Sequence, residues 1–398
     1  MSELVITNYM NSTICAVYEN KVMIQAAAAR KKEAHLGNIY VGRVDNIVKN
    51  INAAFVNITD NCSCYLDLSS ADGAVFCKKQ SGKKISIGDE LIVQVTKEEV
   101  KTKAPVVSTN FSLSGKYAVL VHQAEGIQIS KKIQNKAFRN QIKEEIKDYL
   151  GEGYGIVIRT NAGCVPAEEL INEIRQLLEE YKRICLTGIH QVKYSVLYKE
   201  LPLYLKQIRD SKEYSLEKIV TNLPGIYQEI CEFVKNNPVM SQNHQPVPVV
   251  LMEDANELAI LYRINHFMDK ALHKTVFLNS GATIVIEPTE ALTVIDVNTG
   301  KAISGKRATE DTFYQINVEA AKEIAAQIRL RNLSGIIIVD FINMTEKEKE
   351  EQLKETLRSY LTDDPVQTEL VEITKLGLME LTRKKICKTL AEQLADAQ

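Results

Sequence analysis

Two short runs of mostly β-branched residues, Leu292-Thr-Val-Ile295 and Ile336-Ile-Ile-Val339, each lead straight into an aspartate, Asp296 and Asp340. Their length, branching and flanking turn or charged residues predict buried strands. Between them lies TFYQINVEAAKEIAAQIRLRNLS, a helical pattern. A carboxylate at the end of a buried strand is costly to desolvate unless something pairs with it. Two of them on neighbouring strands therefore predict a shared cation. No other feature constrains the fold of this chain as strongly.

The rest of the chain has room for about two to four domains, since 398 residues exceed what one core serves. With 45% hydrophobic and 25% charged residues it has the composition of soluble globular protein. Its apolar runs fall short of the roughly 20 residues of a membrane helix. The opening MSELVITNYMNSTICAVYE lacks the basic-then-apolar order of a signal peptide, which predicts a cytoplasmic protein. The eight cysteines are scattered, and Cys62 and Cys64 are too close for a Cys-x-x-Cys ligand pair, so reduced thiols are expected. A formal charge of −2 excludes an indiscriminate polyanion binder but leaves room for local basic strips.

Taken in order, residues 3–36 read as strands followed by a polar crossing from Ala26 to Ala34. From Gly37 short strands recur with Gly and Asn/Asp turns, which predicts a small β-barrel. The order Gly-x-Val, Ala-Ala-Phe-Val, Tyr-Leu and Gly-Asp-Glu-Leu-Ile-Val-Gln-Val resembles the OB-fold RNA-binding domain of the ribosomal S-one type. Such barrels stack bases on exposed aromatics and steer the backbone with cations. Phe55 and Tyr65 are the stacking candidates and Lys97 and Lys103 the cations, against a plainer reading as barrel core and solvated face.

Residues 116–205 read as mostly helical around one strand, Gly155-Ile-Val-Ile-Arg-Thr160, which ends in a glycine-containing loop. Arg159 and Thr160 suit a phosphate group. A structural ion pair at Arg159 fits equally well. Residues 206–275 mix helix, at Ser215 to Val220 and Ile226 to Asn236, with a strand near Val247 to Leu251. The six histidines form no metal-ligand spacing. Gly300-Lys-Ala-Ile-Ser-Gly305-Lys306 satisfies part of a phosphate-binding P-loop, but Arg307 stands where that motif needs Ser or Thr.

Leu292 to Lys301, Asn317-Val-Glu-Ala-Ala321, Ile328-Arg-Leu-Arg-Asn-Leu333 and Ile337 to Met344 together closely resemble the RNase E/G family of endoribonucleases, and the likeness extends over essentially the whole chain. The resemblance implies an α/β multidomain protein. An RNase H-like fold (1–36 and 206–275) would carry an inserted OB-fold RNA-binding domain (37–110) and a 5′-sensor region (111–205), followed by a DNase I-like α/β catalytic domain (276–398). It implies that Asp296 and Asp340 hold Mg²⁺, with Mn²⁺ as a substitute, and that Asn298 orients an aspartate as part of the catalytic set. Arg159 and Thr160 become 5′-monophosphate contacts. The implied reaction cleaves single-stranded RNA to 5′-phosphate and 3′-hydroxyl products, with preference for 5′-monophosphorylated RNA, in RNA processing or decay, rRNA processing included. The physics agrees, because a diester phosphate needs a cation to neutralise charge and activate water, and carboxylates suit magnesium.

Four positions depart from the family pattern. A single Gly126 precedes Ile127-Gln128 where paired glycines are usual, Asn343 replaces an acid, Lys375 replaces an arginine, and no Cys-Pro-x-Cys segment precedes Gln398. Zinc-linked pairing is therefore not supported by this chain, and a homodimer would have to be held otherwise. Two other functions remain open at this level: a non-catalytic single-stranded RNA-binding protein, and a P-loop-like nucleotide hydrolase.

Overall fold

Apolar and polar residues alternate through the first 28 positions and build an antiparallel meander of Ser2–Tyr9, Ser12–Glu19 and Val22–Ala28. The computed structural model describes residues 2–29, 36–80, 82, 84–99, 104–211, 215–237, 239–240, 245–302, 309–362 and 364–395. The chain divides into two units, one of Met1–Arg30 with Tyr214–Gln398, the other of Lys31–Glu213.

In the first unit the meander is completed by strands from far along the chain. Leu216–Thr221 lies parallel to Ser2–Tyr9, and Val249–Leu251 lies parallel to Leu216–Thr221. The expected helix at Ser215 to Val220 is thus a strand. Leu216, Ile219, Val220 and Thr221 are buried in the middle of a sheet, where branched side chains pack well, and that burial overrides any helical bias. Ala26 to Ala28, read as part of a crossing, also continue a strand, because small residues facing Ile14, Cys15 and Ala16 fit the pleat. Residues 30–34 of that crossing lie outside the described residues.

A second sheet of this unit runs, among the described residues, in the order Thr275–Phe277, Thr283–Pro288, Leu292–Asn298, Gly335–Asp340, Met379–Arg383, Thr368–Ile373. The two central strands are parallel and are joined through the helix Glu310–Leu330. One face of the sheet is core: Ile284, Ile286, Ile295, Val297, Ile337 and Val339 pack with Ile316, Ala320, Ile324, Leu353 and Leu357 of this helix and of Lys347–Leu361. The other face is open, with Ile336 50% and Val294 36% exposed. The strands are therefore buried on one side, not on both as their unbroken apolar runs suggest. A run of apolar residues has no alternation with which to mark a solvated face.

Arg383 fixes the return from helix to strand. Its Nε and Nη2 donate to the two oxygens of Asp364 at 2.7 and 3.2 Å, and its Nη1 donates to Asn332 Oδ1 and the Leu333 carbonyl. Both charged partners are buried, with side chains 2% and 5% exposed.

In the second unit, Ile39–Val48, Ala53–Thr59, Cys62–Asp67, Val106–Ser108 and Glu90–Lys97 pair in that order, and the last returns to pair with the first. This closes a barrel filled by Tyr40, Val44, Ala54, Val56, Ile58, Leu66, Leu91, Val93 and Val95. Closure removes the exposed edges that five strands in an open sheet would carry.

The segment after the barrel holds more strand than its sequence suggests. Ser112–Ser114, Ala118–His122, Tyr154–Ile158 and Ile127–Ile129 form a further sheet in that order, covered by helix Ala167–Thr187 through Leu170, Ile174, Leu178 and Tyr181. Strands of three to five residues are too short for a period of two to show. No helix among the described residues is long and apolar enough to cross a membrane.

His122 lies inside this unit, stacked on Phe111, with Nδ1 2.7 Å from the Tyr181 hydroxyl and Nε2 3.0 Å from the Gly73 carbonyl. Burial lowers its pKa below the ordinary histidine value, against a smaller upward pull from the Gly73 hydrogen bond. A depressed folded pKa means that the unfolded chain binds the proton first. The stability is complete above the unfolded value near pH 6.5 and is lost as pH falls through the folded value. The melting temperature of the chain is expected to drop as pH is lowered from 7.5 to 5.5, and His122→Asn should flatten that drop. An equal slope in both proteins would show that His122 does not carry the effect.

Candidate active site

Asp296 and Asp340 are cross-strand partners in the parallel register Leu292↔Ile336 to Asp296↔Asp340. Both stand on the open face, Asp340 exposed and Asp296 half-buried. The desolvation cost that made them conspicuous in the sequence is therefore small, and the stronger argument for a cation is like charge held in register on neighbouring strands. The strand of Asp296 continues to Asn298, which puts residues 296 and 298 on one face. Asn298 Nδ2 donates to Asp296 Oδ2 at 2.7 Å and fixes the carboxylate rotamer.

These residues, with Val297, Thr299, Phe313, Phe341, Ile342 and Asn343, line an open depression of about 430 Å³. No third His, Cys, Asp or Glu joins the two aspartates in a metal-ligating group among the described residues. Two carboxylates with an open side fit a hard divalent cation that keeps much of its shell as water and substrate oxygen. Asn343 is exposed at the rim, and its Oδ1 lies 3.6 Å from where a Cβ on Gly377 would stand. That places the turn holding Lys375 beside the site.

The loop after Asp340 is fixed by a residue to which the sequence assigned no role. Asn317 is fully buried in helix Glu310–Leu330; its Nδ2 donates to the Ile342 carbonyl at 2.8 Å and its Oδ1 accepts from the Ile342 amide at 3.0 Å. An amide grips both backbone groups of one residue, so Ile342, and with it Asp340 two positions earlier, is tied to the helix. Glu310, in the first turn of the same helix, accepts from the amides of Thr345 and Glu346. Glu319 accepts from the Asn279 and Ser280 amides, at 2.8 Å from Asn279. A polar residue on an otherwise apolar helix stripe, Asn317 between Ile316 and Ala320, is the signal that could have flagged it.

Gly300, the first glycine of the P-loop-like stretch, has φ +52°, and a Cβ there would lie 2.5 Å from the Gly281 carbonyl oxygen. Lys301 N donates to that same carbonyl at 3.0 Å. This glycine thus serves a close approach between two turns. Gly305, Lys306 and Arg307 lie outside the described residues.

In the other unit, Phe55 and Tyr65 are cross-strand partners on the barrel's outer side, both half-buried, with ring centroids 6.4 Å apart. Lys97 is exposed at the end of its strand, and Lys103 lies outside the described residues. Arg159 Nη1 donates to Asp210 Oδ1 at 2.7 Å and to the Gly115 carbonyl at 2.6 Å. Burial would raise the Asp210 pKa, but Arg209 and then Arg159 hold it below the usual carboxylate range. Arg209 is itself buried and also donates to Glu200 Oε1 and the Ser114 carbonyl, both at 2.9 Å. Thr160 Oγ1 is 2.9 Å from Ser130 Oγ, so the strand-end hydroxyl faces the Ser130-Lys-Lys turn. The ion pair left open by the sequence exists, and it holds the guanidinium against Asp210 and the Gly115 carbonyl.

Residues 112–386 match the profile of the ribonuclease E/G family. Ribonuclease E of Synechocystis is 32% identical over 377 residues, covering 94% of this chain and 55% of that protein. Ribonuclease G of Salmonella typhimurium is 30% identical over 403 residues, covering 96% of this chain and 80% of that protein. Ribonuclease G of Escherichia coli is 29% identical over 408 residues, covering 99% and 82%. The chain thus spans about half the length of the ribonuclease E and about four fifths that of the ribonuclease G proteins.

Proposed function

Because this chain belongs to the ribonuclease E/G family, we propose that it is an endoribonuclease, a metal-dependent phosphodiester hydrolase of single-stranded RNA. The observation that carries the reading is the register pair Asp296 and Asp340 with Asn298 on the Asp296 carboxylate. Asp296 and Asp340 would hold Mg²⁺, with Mn²⁺ as a substitute. A cation there supplies charge neutralisation of the diester and a lowered pKa for the attacking water.

The chain's own residues set the geometry. Asn298 keeps one carboxylate turned to the open face, and Asn317 keeps the loop after the other from shifting. The open face leaves an extended strand free to lie over both. In this reading the six-stranded sheet and its helices are the DNase I-like catalytic domain, and the meander sheet is the RNase H-like fold. The closed barrel is the OB-fold domain, using Phe55, Tyr65, Lys97 and Lys103 on RNA. The products are a 5′-phosphate and a 3′-hydroxyl, and RNA processing or decay in the cytoplasm is the setting.

The test is incubation of a 5′-monophosphorylated single-stranded RNA with the protein and Mg²⁺. Cleavage lost to chelator and restored by Mg²⁺ or Mn²⁺, leaving 5′-phosphates on the fragments, is expected. Salt-sensitive binding with no turnover at any metal concentration would replace the reading with a non-catalytic RNA-binding protein.

The 5′ preference is assigned to Arg159 and Thr160. Arg159→Ala should slow cleavage of 5′-monophosphorylated RNA about tenfold more than that of 5′-hydroxyl RNA, as loss of one charge-assisted contact predicts. Paired rate measurements on the two substrates check this, and equal slowing of both would remove the sensor role.

A further inference from the structure

Phe277 ends the edge strand Thr275–Phe277 and is 77% exposed, an unusual place for a large aromatic ring. It pairs with Thr283, which pairs with Asn298, so Phe277, Thr283 and Asn298 form one row on one face of the sheet. The neighbouring row on that face is Thr275, Val285, Asp296 and Asp340. Two inter-strand steps separate Phe277 from Asn298, roughly 10 Å at the usual spacing. The core-side residues of these strands, Val276, Ile284 and Val297, are buried against the helices, which fixes the side on which Phe277 stands. The hairpin Leu278–Ala282 that follows is held by Glu319 on the Asn279 and Ser280 amides and by Lys301 on the Gly281 carbonyl. The ring therefore sits on a rigid base.

We propose that Phe277 is a stacking platform for the base of a nucleotide adjacent to the scissile phosphate, so that the substrate crosses the sheet perpendicular to its strands. The proposal rests on the nuclease reading of Asp296 and Asp340. An exposed ring suits a nucleic-acid base better than a protein side chain here, since every base presents a π-face and the site beside it is built for a phosphate. Phe277 is a positioning residue: it holds the strand so that one phosphate rests over the aspartates, without regard to base identity.

The test uses the full chain and short RNAs of one known cut site, each with a single abasic nucleotide at a different position around it. In the wild type, one position next to the cut is expected to lose about tenfold in kcat/KM. Phe277→Ala should lose about as much on intact RNA and show no further loss with that abasic RNA, while Phe277→Trp restores the rate. Loss in Phe277→Ala that adds fully to the abasic loss overturns the proposal, as does no loss at all. A change of molar mass in solution for Phe277→Ala also overturns it, since the ring would then be covering a second copy. A wild type that cuts no RNA would defeat the nuclease reading instead. In that event quenching of a 2-aminopurine base by the wild type but not by Phe277→Ala still supports stacking, and equal quenching refutes it.

Discussion

Asparagine in place of Asp296 or Asp340 is expected to lower kcat/KM for RNA cleavage roughly a thousandfold while leaving the fold intact. Each substitution keeps the side-chain shape and removes the charge that would hold the cation. Neither aspartate is buried, so the cost to stability should stay within about 0.5 kcal/mol. Asn298→Ala removes only the 2.7 Å hydrogen bond to Asp296 and should cost about 10- to 100-fold. If the two carboxylates act as one ligand set, the double variant will be little worse than either single one. Initial rates across a Mg²⁺ titration, with thermal melts alongside, check all four proteins. Either aspartate variant within tenfold of the wild type would disprove the assignment.

Asp364→Ala is expected to be the most destabilising single change outside the apolar core, at about 3–5 kcal/mol, because it strands the buried Arg383 guanidinium. Most of the loss is assigned to the unpaired charge, and the bonds that Asp364 accepts from the Val366 amide and the Thr368 hydroxyl add a smaller part. Replacing both partners, Asp364→Leu with Arg383→Met, should recover most of it. Chemical denaturation of the wild type, the single and the double variant measures this directly. A double variant no better than the single would mean that packing, and not the orphaned charge, sets the cost. Arg383 also holds Asn332 and the Leu333 carbonyl at the entry to the Asp340 strand, so Asp364→Ala should lower cleavage below what unfolding explains.

How much of the fold and the site is legible in the sequence depends on how local each signal is. Asp296 and Asp340 stand out in the sequence because an aspartate after a branched apolar run interrupts the pattern, whereas Asn298 is singled out only through the family resemblance. Asn317 does not stand out, because its partner is the Ile342 backbone, 25 positions away, and side-chain type says nothing about that. The Arg159–Asp210 pair joins residues 51 positions apart and could be posed only as an alternative. Leu216–Thr221 reads as helix in the sequence because its strand identity comes from non-local neighbours, Ser2–Tyr9 near the start of the chain and Val249–Leu251 further on. The open face of the sheet that carries Asp296 and Asp340 is hidden for a related reason: Ile336-Ile-Ile-Val339 is equally apolar on both sides.

The parallel pairing of Ser2–Tyr9 with Leu216–Thr221 also sets a timetable. The hydrogen bond from Ser2 Oγ to the Ser215 carbonyl joins residues 213 positions apart. At common ribosomal rates the first strand waits ~10–40 s for that partner to be made. All of the unit Lys31–Glu213 has been synthesised by then. The opening meander therefore spends that interval with one edge unpaired, a state in which a nascent chain is open to pairing with another copy. Slowing translation across residues 31–213 should increase aggregation, even though no residue of the finished protein has changed.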